Sequence, residues 1–291
     1  MEFRVLQYFL AVTREQSISG AAEALHLSQP TLSRQLKELE EELGKQLFLR
    51  GSRKITLTEE GMILRKRAEE ITALMQMARD EIALTEESIS GDVYIGAGET
   101  EGVSYLARAA RQLQEEYPLI RYHIASGDTI DVMESLDRGL IDFGLLFDEA
   151  DAGKYQQLPL PVRDLYGLML QRDNPLAEKP SIAPADLWEQ PLILNRNMKG
   201  NTLLRRWLKK DFSELNVTAT YNLLYNGSRM VAEGLGSAIC LDGIINTTGS
   251  PLCFRPFSPP LEAEMHLVWK RYQMLSKPAE KFLSALQELV S

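Results

Sequence analysis

Five polar side chains with the chemistry to contact nucleic acid lie close together near the start of the chain. They are Gln29, Thr31, Ser33, Arg34 and Lys37. Glutamine can pair bidentately with adenine, the methyl group of threonine can touch that of thymine, and arginine can fork onto guanine or phosphate. Most hydrogen bonds at protein–DNA interfaces go to the sugar-phosphate backbone, so each such side chain is more often a phosphate or solvent contact than a base contact.

The charge distribution makes a local basic surface compatible with an acidic chain. The 291 residues carry a formal net charge of −9, which would argue against phosphate binding if it were spread evenly. Residues 1–58 carry 8 Lys and Arg against 7 Asp and Glu, whereas residues 90–291 carry 20 against 26. The basic side chains of the first segment cluster at Arg34, Lys37, Lys45, Arg50, Arg53 and Lys54. Composition alone would equally describe a solvated face of mixed charge.

The element that carries the polar side chains is predicted from a cap and from apolar spacing. Ser28 can cap a helix with Pro30 in its first turn, where a missing N–H costs nothing. Leu32, Leu36 and Leu39 of this helix then point inward, so the polar set points outward. Two shorter helices precede it. This order predicts a helix-turn-helix whose third helix enters a major groove.

Two strands and one long helix are predicted next. Residues 46–50 and 54–58 read as short strands that form a wing. Residues 59–89 predict a single helix whose apolar residues step by four and three. Its seam consists of Leu64, Ala68, Ile71, Met75, Ala78, Ile82 and Thr85. Such a seam either pairs with a second copy as a short coiled coil or packs on its own chain, and the periodicity alone favours neither.

Strands that alternate with helices predict an α/β domain over residues 90–291. The third strand, residues 141–147, is continuously apolar, as a buried parallel strand is. The pattern recurs from a short strand at residues 165–170, with a later strand at 219–224, a helix at 228–234 and a strand at 237–241, which predicts two similar lobes. The predicted lobes are lobe I, residues 90–162 and 268–291, and lobe II, residues 163–267.

The first sixty residues match the signature of a known family. The matching residues are 17–40, SISGAAEALHLSQPTLSRQLKELE, then Leu43-Gly44, Leu47-Phe48, Arg50 and residues 57–61, LTEEG. This run closely resembles the N-terminal signature of LysR-type transcriptional regulators and continues in order through the wing and the following helix. Residues 139–144 and 231–238 resemble, in pattern, the effector-binding region of that family, which is similar to periplasmic binding proteins.

The resemblance implies a multidomain fold and a function for each segment. Residues 1–58 are expected to form a winged helix-turn-helix DNA-binding domain, residues 59–89 a linker helix that joins two such domains in a dimer, and residues 90–291 a two-lobed α/β effector-binding domain. A small metabolite between the lobes would change the spacing of paired DNA-binding domains on an interrupted inverted repeat. The implied partners are double-stranded DNA, the effector and a homodimer or homotetramer of the chain, with RNA polymerase as a further candidate.

The resemblance also implies roles for single residues at the DNA. Those expected to face bases or nearby phosphates are Gln29, Pro30, Thr31, Ser33, Arg34 and Lys37. Those expected to hold the flanking backbone or the minor groove are Arg50, Ser52 and Arg53. A winged domain that makes only protein contacts is the alternative.

The predicted effector site follows from a rule for open α/β sheets, in which ligands bind beyond the carboxyl ends of strands and near helix N-termini. The rule selects from lobe I Gly98, Glu99, Thr100, Glu101, Ser126, Gly127, Asp128, Thr129 and Phe147. It selects from lobe II Asn195, Arg196, Asn197, Gly200, Asn201, Thr202, Tyr225, Asn226 and Gly227. Any one polar residue is as readily a helix cap, so the clustering carries the prediction. Thr100 and Thr129 rank first, because relatives commonly place effector-binding hydroxyls at the matching positions.

The charges near this site bear on the chemistry of the effector. The lobe I rim carries Glu99, Glu101, Asp128, Asp148 and Glu149, and the lobe II rim carries Arg196 and Lys199. Like charges near one another cost binding energy, so the sequence disfavours a dicarboxylate and favours a zwitterionic, amine-bearing or polyhydroxyl metabolite. The alternative is that these carboxylates cap helices or face solvent.

Catalytic and metal-binding constellations are missing from the sequence. The three histidines, His26, His123 and His266, are scattered, and neither H-x-x-x-H nor C-x-x-C spacing occurs, so no cofactor is predicted. Cys240 and Cys253 are more readily core residues than a redox pair, although the family includes thiol sensors. The competing function is a two-lobed enzyme or solute-binding protein with an accessory basic N-terminal domain.

Length and composition set the broad class of the protein. A chain of 291 residues exceeds what one core usually supports, and 44% hydrophobic with 25% charged residues is typical of globular domains. The N-terminus has no charged-then-apolar leader, and every apolar run is far shorter than the roughly 20 residues of a membrane helix. The sequence therefore predicts a cytoplasmic location without a membrane span.

Overall fold

The chain folds into two compact units, Met1–Ala83 and Leu84–Ser291. The computed structural model describes residues 1–50, 54–83, 89–147 and 150–291, apart from the side chains of Arg50, Asp80, Glu81, Ala83 and Lys199. None of the helices in these ranges is both long and apolar enough to cross a membrane.

The described part of the N-terminal unit contains four helices and a two-stranded antiparallel sheet. The elements are α1 (Phe3–Glu15), α2 (Ile18–Ala24), α3 (Gln29–Leu43), β1 (Phe48–Arg50), β2 (Ile55–Leu57) and α4 (Glu59–Ala83). The hydroxyl of Ser17 accepts from Gly20 N at 3.2 Å, and that of Ser28 accepts from Thr31 N at 3.3 Å. These caps pair N–H groups that a helix start otherwise leaves open. The predicted winged helix-turn-helix and the long helix after it are confirmed.

One apolar core joins the elements of the N-terminal unit. Phe9, Val12 and Leu32 are fully buried in it, and Ala21 lets α2 approach the other helices closely. The start of α4 belongs to the same core, because Ala68 is fully buried there. A side chain on Gly61 is excluded, since its Cβ would lie 2.2 Å from the carbonyl oxygen of Leu47. The wing and α4 are therefore packed backbone against backbone.

The predicted heptad seam of α4 divides into two parts. Leu64 and Ala68 pack against the N-terminal core of their own chain. Ile71, Met75 and Ile82 further along the helix are exposed. Thr85 lies outside the described residues. The early part of the seam thus serves the domain itself, and the later part leaves an apolar stripe uncovered within one chain.

The second unit is built from alternating strands and helices, as predicted. Its first elements are β3 (Gly91–Ala97), α5 (Val103–Glu116), β4 (Ile120–Ser126), α6 (Thr129–Asp137), β5 (Phe143–Phe147) and β6 (Tyr155–Gln171). Its later elements are β7 (Leu192–Asn195), α7 (Thr202–Leu208), β8 (Val217–Tyr221), α8 (Leu224–Ala232), β9 (Ser237–Leu241), β10 (Leu252–Pro256), β11 (Glu262–Lys270) and α9 (Lys277–Val290).

Two long strands connect the lobes of this unit. The sheet order is β4-β3-β5-β11-β6-β9-β7-β8, and β10 also pairs with β6. The parallel strands β3, β4 and β5 form lobe I, and the parallel strands β7, β8 and β9 form lobe II. Strand β11 pairs with β5 from Met265 to Val268, so it enters lobe I three residues before the boundary predicted at residue 268.

Other sequence predictions for this unit were wrong in their bounds. Helix α8 begins at Leu224, although the sequence predicted a start at Ser228. Asn226 and Gly227, expected in a loop, therefore lie inside the helix, where Gly227 makes room for the ring of Tyr221. Strand β6 extends over 17 residues, far more than the short strand predicted near residue 165, because each half pairs in a different lobe.

Candidate functional site

The first candidate surface is the exposed face at the start of α3. Gln29, Pro30, Thr31, Arg34 and Lys37 are exposed, and Ser33 is half-buried. On the opposite face, Leu32, Leu36 and Leu39 are buried in the core. The apolar face fixes the rotation of the helix, which presents the polar face to solvent as the sequence predicted. We call these six polar-face residues the α3 surface.

The side chains of the α3 surface make local contacts that are weak enough for DNA to replace them. The Ser28 and Thr31 hydroxyls lie 2.8 Å apart, so the cap also orients Thr31. Arg34 and Lys37 form ion pairs one turn along, Arg34 with Glu38 at 3.7 Å and Lys37 with Glu41 at 3.3 Å. Exposed pairs of this kind stabilise a fold by well under about 1 kcal/mol. Both cations are therefore available to phosphate or base.

Three of the predicted DNA contacts cannot be placed on this surface. Ser52 and Arg53 lie outside the described residues, as does the side chain of Arg50. Lys45, also part of the predicted basic cluster, pairs with Glu60 at 3.2 Å and so links the end of α3 to the start of α4.

The second candidate site is a cavity of about 360 Å³ between lobe I and lobe II. A space of this size holds a small molecule. Lobe I contributes to its wall Gly98, Glu99, Gly127, Asp128, Thr129, Ile130, Leu145 and Phe147. Lobe II contributes Tyr166, Asn195, Asn197, Met198, Gly200, Asn201, Tyr221, Asn222, Leu223, Leu224, Cys240, Leu241 and Ile244. The wall lies beyond the carboxyl ends of parallel strands in both lobes, as the rule for open sheets requires.

Asp128 occupies the wall where α6 begins, and it makes contacts in both lobes. Its carboxylate accepts from the backbone N–H of Ile130 at 3.1 Å and from that of Asp131 at 3.0 Å, which caps α6. The guanidinium group of Arg196 in lobe II donates to Asp128 at 2.6 Å and to Asp131 at 2.6 Å. Burial alone would raise the pKa of the Asp128 carboxyl group, but the bonds from Arg196 and the backbone hold that pKa below its usual value.

A second polar contact crosses the cavity at the start of α8. The carboxylate of Glu99, from the loop after β3, accepts a hydrogen bond from the backbone N–H of Leu224. Leu223 at the N-cap position offers no side-chain cap for α8. Lobe I therefore supplies the anion that this helix N-terminus favours.

The structure brings some of the predicted effector residues together in the cavity wall and leaves others outside it. Ten of the residues predicted in the sequence analysis line the cavity, namely Gly98, Glu99, Gly127, Asp128, Thr129, Phe147, Asn195, Asn197, Gly200 and Asn201. Arg196 reaches across the cleft as described. Ser126, Thr202 and Asn226 are exposed and are not among the lining residues.

Thr100, which the sequence ranked first together with Thr129, is turned into the protein. Its hydroxyl donates to Asp164 Oδ2 at 2.7 Å and accepts from Gly102 N at 3.0 Å. Thr100 and Asp164 are both buried, and Thr100 does not line the cavity. Burial raises the pKa of Asp164, although the hydrogen bonds from Thr100 and the Glu101 backbone oppose the rise. Thr100 thus anchors the loop after β3 rather than pointing into the cavity.

Sequence reasoning missed most of the apolar and aromatic wall. The unpredicted lining residues are Ile130, Leu145, Tyr166, Met198, Tyr221, Asn222, Leu223, Leu224, Cys240, Leu241 and Ile244. The same strand-end rule would have found Asn222, Leu223 and Leu224, which follow β8 directly. They were passed over because the sequence predicted that the strand runs to Leu224, whereas β8 ends at Tyr221. The others lie within strands (Leu145, Tyr166, Tyr221, Cys240 and Leu241), in the first turn of α6 (Ile130) or in the segments after β7 and β9 (Met198 and Ile244). The rule selects residues beyond strand ends, so it does not reach those within strands.

Comparison with known proteins decides the family of the chain. A family model described as the LysR substrate binding domain matches residues 86–291, and one described as the bacterial regulatory helix-turn-helix protein, lysR family, matches residues 3–62. The chain belongs to the LysR family. It is a DNA-binding transcriptional regulator with a separate effector-binding domain, and membership of a family of regulators decides against the enzyme alternative.

The chain is also similar to individual transcriptional regulators. The HTH-type transcriptional regulator BsdA of Bacillus subtilis is 29% identical over 97% of this chain and 99% of its own length. The DNA-binding transcriptional dual regulator OxyR of Escherichia coli is 29% identical over 67% of this chain and 63% of its own length. The fold is similar to that of CbnR, a LysR family transcriptional regulator, with a TM-score of 0.75 at 18% identity over the whole of both chains.

Both cysteines of this regulator are buried and unpaired thiols. Cys240 lies on β9 in the cavity wall, and Cys253 lies on β10. The two strands flank β6 on opposite sides, with Cys240 opposite Gly167 and Cys253 opposite Leu170. Burial raises the pKa of the Cys240 thiol, so this thiol stays protonated and is a poor nucleophile. The geometry agrees with the predicted core role of both residues.

Replacing Asp128 by asparagine is expected to lower the free energy of unfolding by about 1 kcal/mol at neutral pH, because Arg196, half open to solvent, loses its charged partner. Asparagine still caps α6, so the change isolates the charge. A carboxyl group with a lowered folded-state pKa stabilises fully above its unfolded pKa of about 3.9. The difference between the two proteins should therefore hold from neutral pH to about pH 5 and shrink below about pH 4.

Urea unfolding of the full chain at several pH values measures this difference. The exposed Asp173, in the turn after β6, provides the control, and Asp173→Asn should stay within about 0.5 kcal/mol of wild type. An Asp128→Asn deficit that grows toward acid pH would contradict the assignment.

Proposed function

We propose that this regulator recognises DNA with the α3 surface and is controlled by a small metabolite held in the cavity between lobe I and lobe II. Two observations support the proposal. The effector-binding domain has a cavity lined by both lobes, and the N-terminal unit exposes the polar face of α3, a helix capped by Ser28. We further propose that it acts in the cytoplasm, where both a metabolite and chromosomal DNA are present.

The α3 surface supports recognition of a major groove by its first turns. Gln29, Thr31 and Arg34 extend from the N-terminal half of the helix, which is the part that reaches base edges in helix-turn-helix proteins. The acidic residues Glu38, Glu40, Glu41 and Glu42 lie in the C-terminal half of the same helix. Phosphate would repel that half, so the charge gradient along α3 favours insertion by the N-terminal end.

The cavity supports control by a ligand because its two walls belong to different lobes. A molecule in contact with both walls binds most tightly to one relative arrangement of the lobes and shifts the population toward it. The contacts of Asp128 with Arg196 and of Glu99 with Leu224 define one such arrangement. A ligand that alters these contacts changes that arrangement.

Self-association is supported by the uncovered stripe on α4. Ile71, Met75 and Ile82 are spaced so that they share one face of the helix and are exposed within one chain. Burying such a stripe against a second copy removes apolar surface from water. We therefore favour a parallel or antiparallel pairing of two α4 helices, which would bring two α3 surfaces into one DNA-binding assembly.

Arg34→Ala is expected to weaken specific DNA binding by about 1–3 kcal/mol, because the guanidinium group would no longer reach a base edge. The measurement is a gel shift with full-length protein on duplexes that the wild type selects from a random-sequence library. Arg206→Ala removes an exposed arginine from α7 in the other unit and should leave binding unchanged. Equal binding and equal sequence preference of Arg34→Ala and wild type would refute the placement of the DNA contact.

Met75→Glu is expected to weaken self-association, because pairing would bury an uncompensated carboxylate in the α4 stripe. DNA affinity should fall with it, since two half-sites can no longer be held together. Sedimentation of the full chain over a concentration series detects the shift to smaller species. Ala73→Glu adds the same charge to the opposite, exposed face of α4 and should sediment like wild type. The same behaviour in both variants would remove α4 as the contact.

Thr129→Val is expected to weaken the effector at least about tenfold, because the hydroxyl lines the cavity at the first residue of α6. A thermal-shift screen of amino acids, sugars, small amides and carboxylates on full-length wild type supplies the ligands, and calorimetry measures their affinities. Thr202→Val is a matched control at the first residue of α7, outside the cavity wall. Affinity lost in Thr202→Val but retained in Thr129→Val would place the effector elsewhere.

A further inference from the structure

The described positive centres around the cavity are already paired with oxygen atoms of the chain itself. The N-terminus of α6 is capped by Asp128, and the first turn of α7 is capped by Asn201, whose side chain accepts from Leu204 N at 2.9 Å. The N–H of Leu224 at the start of α8 donates to Glu99. Arg196 is shared by two carboxylates. Each of these positive centres therefore already has an oxygen partner within the chain.

We propose that Glu99 excludes carboxylate ligands from the cavity, so that the effector is an uncharged molecule with a mainly apolar body and a hydrogen-bond acceptor. The inference rests on the proposed function, which makes the cavity the effector site. It replaces the sequence-based expectation of a zwitterionic, amine-bearing or polyhydroxyl metabolite and keeps from that expectation the exclusion of a dicarboxylate. It makes Glu99 a residue that determines specificity.

The charge of Glu99 acts against an anion in two ways. A carboxylate that binds the start of α8 must displace the Glu99 carboxylate from the Leu224 N–H. The displaced carboxylate then stays in the cavity wall beside the ligand, where like charges repel. Arg196 offsets little of this repulsion, because Asp128 and Asp131, each at 2.6 Å, already balance its single positive charge.

The rest of the wall favours an apolar body. Ile130 and Phe147 from lobe I face Met198, Leu223 and Ile244 from lobe II. Phe147 also packs against the hydrophobic cores of both lobes, so this part of the wall is continuous with the protein interior. A sugar or a zwitterion would leave polar groups without partners against these side chains, which costs free energy.

One hydroxyl group indicates where the acceptor of the ligand would bind. Thr129 lines the cavity at the first residue of α6 and is exposed. Its hydroxyl can donate a hydrogen bond to a ligand oxygen. A carbonyl or ether oxygen meets the requirement without adding charge.

Benzoate and benzamide test the charge filter, because they share one apolar body and differ in the carboxylate. Full-length wild type should bind benzamide at least about tenfold more tightly than benzoate in calorimetry. Glu99→Gln keeps the shape of the side chain and removes its charge, so the ratio should fall to about threefold or less. Glu115→Gln, the same change on an exposed residue of α5, should keep the wild-type ratio. Benzoate that binds wild type as tightly as benzamide, or a ratio that Glu99→Gln leaves unchanged, overturns the proposal.

Acetate tests the same residue without any effector. Glu99→Ala vacates the start of α8, so acetate at millimolar concentration should raise its thermal midpoint by about 2 °C over chloride at equal ionic strength. Wild type and Glu115→Ala should gain nothing from acetate over chloride. Equal stabilisation of all three proteins, or of none, overturns the role of Glu99. The Thr129→Val titration reports separately on whether the cavity is the effector site, so failure of that function leaves the acetate result interpretable.

Discussion

The pairing of β6 with β11 is the constraint on which the effector-binding unit depends. Both strands run through lobe I and lobe II, and they stay paired on each side of a register shift between Glu264 and Met265. Opposite the shift, Pro161 and Val162 are left out of the pairing, and a proline there loses no donor that the ladder needs. The lobes are thus joined by continuous backbone, and the cavity lies where their parallel strands end. A rotation of one lobe against the other must therefore bend or twist this pair.

Contacts across the cavity are polar and modest in strength, which suits a protein that must change state. Arg196 is half open to solvent, so its bonds to Asp128 and Asp131 are screened. The Glu99 bond to Leu224 joins a flexible acidic side chain to one backbone N–H. A few such contacts bias the lobes toward one arrangement without locking them, and a ligand needs only a comparable differential affinity to shift the balance.

In α3 and α4, the residues that pack in the core of the N-terminal unit are separate from those that we assign to contacts with partners. One face of α3 is buried through Leu32, Leu36 and Leu39, and the other carries the side chains that we assign to DNA. Along α4 the separation runs lengthwise, with Ala68 in the core and Met75 exposed. In both helices the buried part sets the orientation of the exposed part, so residues that never touch a partner decide where the partner binds.

Local patterns in the sequence were enough to determine the start of α3, the wing and the alternation of strands and helices, because caps, turns and apolar periodicity act between near neighbours. Strand ends also placed Glu99, Asp128 and Thr129 at the cleft. Only the tertiary structure turned Thr100 inward, since its partner Asp164 lies 64 residues away. It also set the start of α8, where Asn226-Gly227 reads locally as a turn and Glu99 from the other lobe supplies the missing cap. Interactions between distant segments leave no periodic signal in the sequence, so the apolar wall and the pairing of Glu99 and Arg196 were decided by the fold alone.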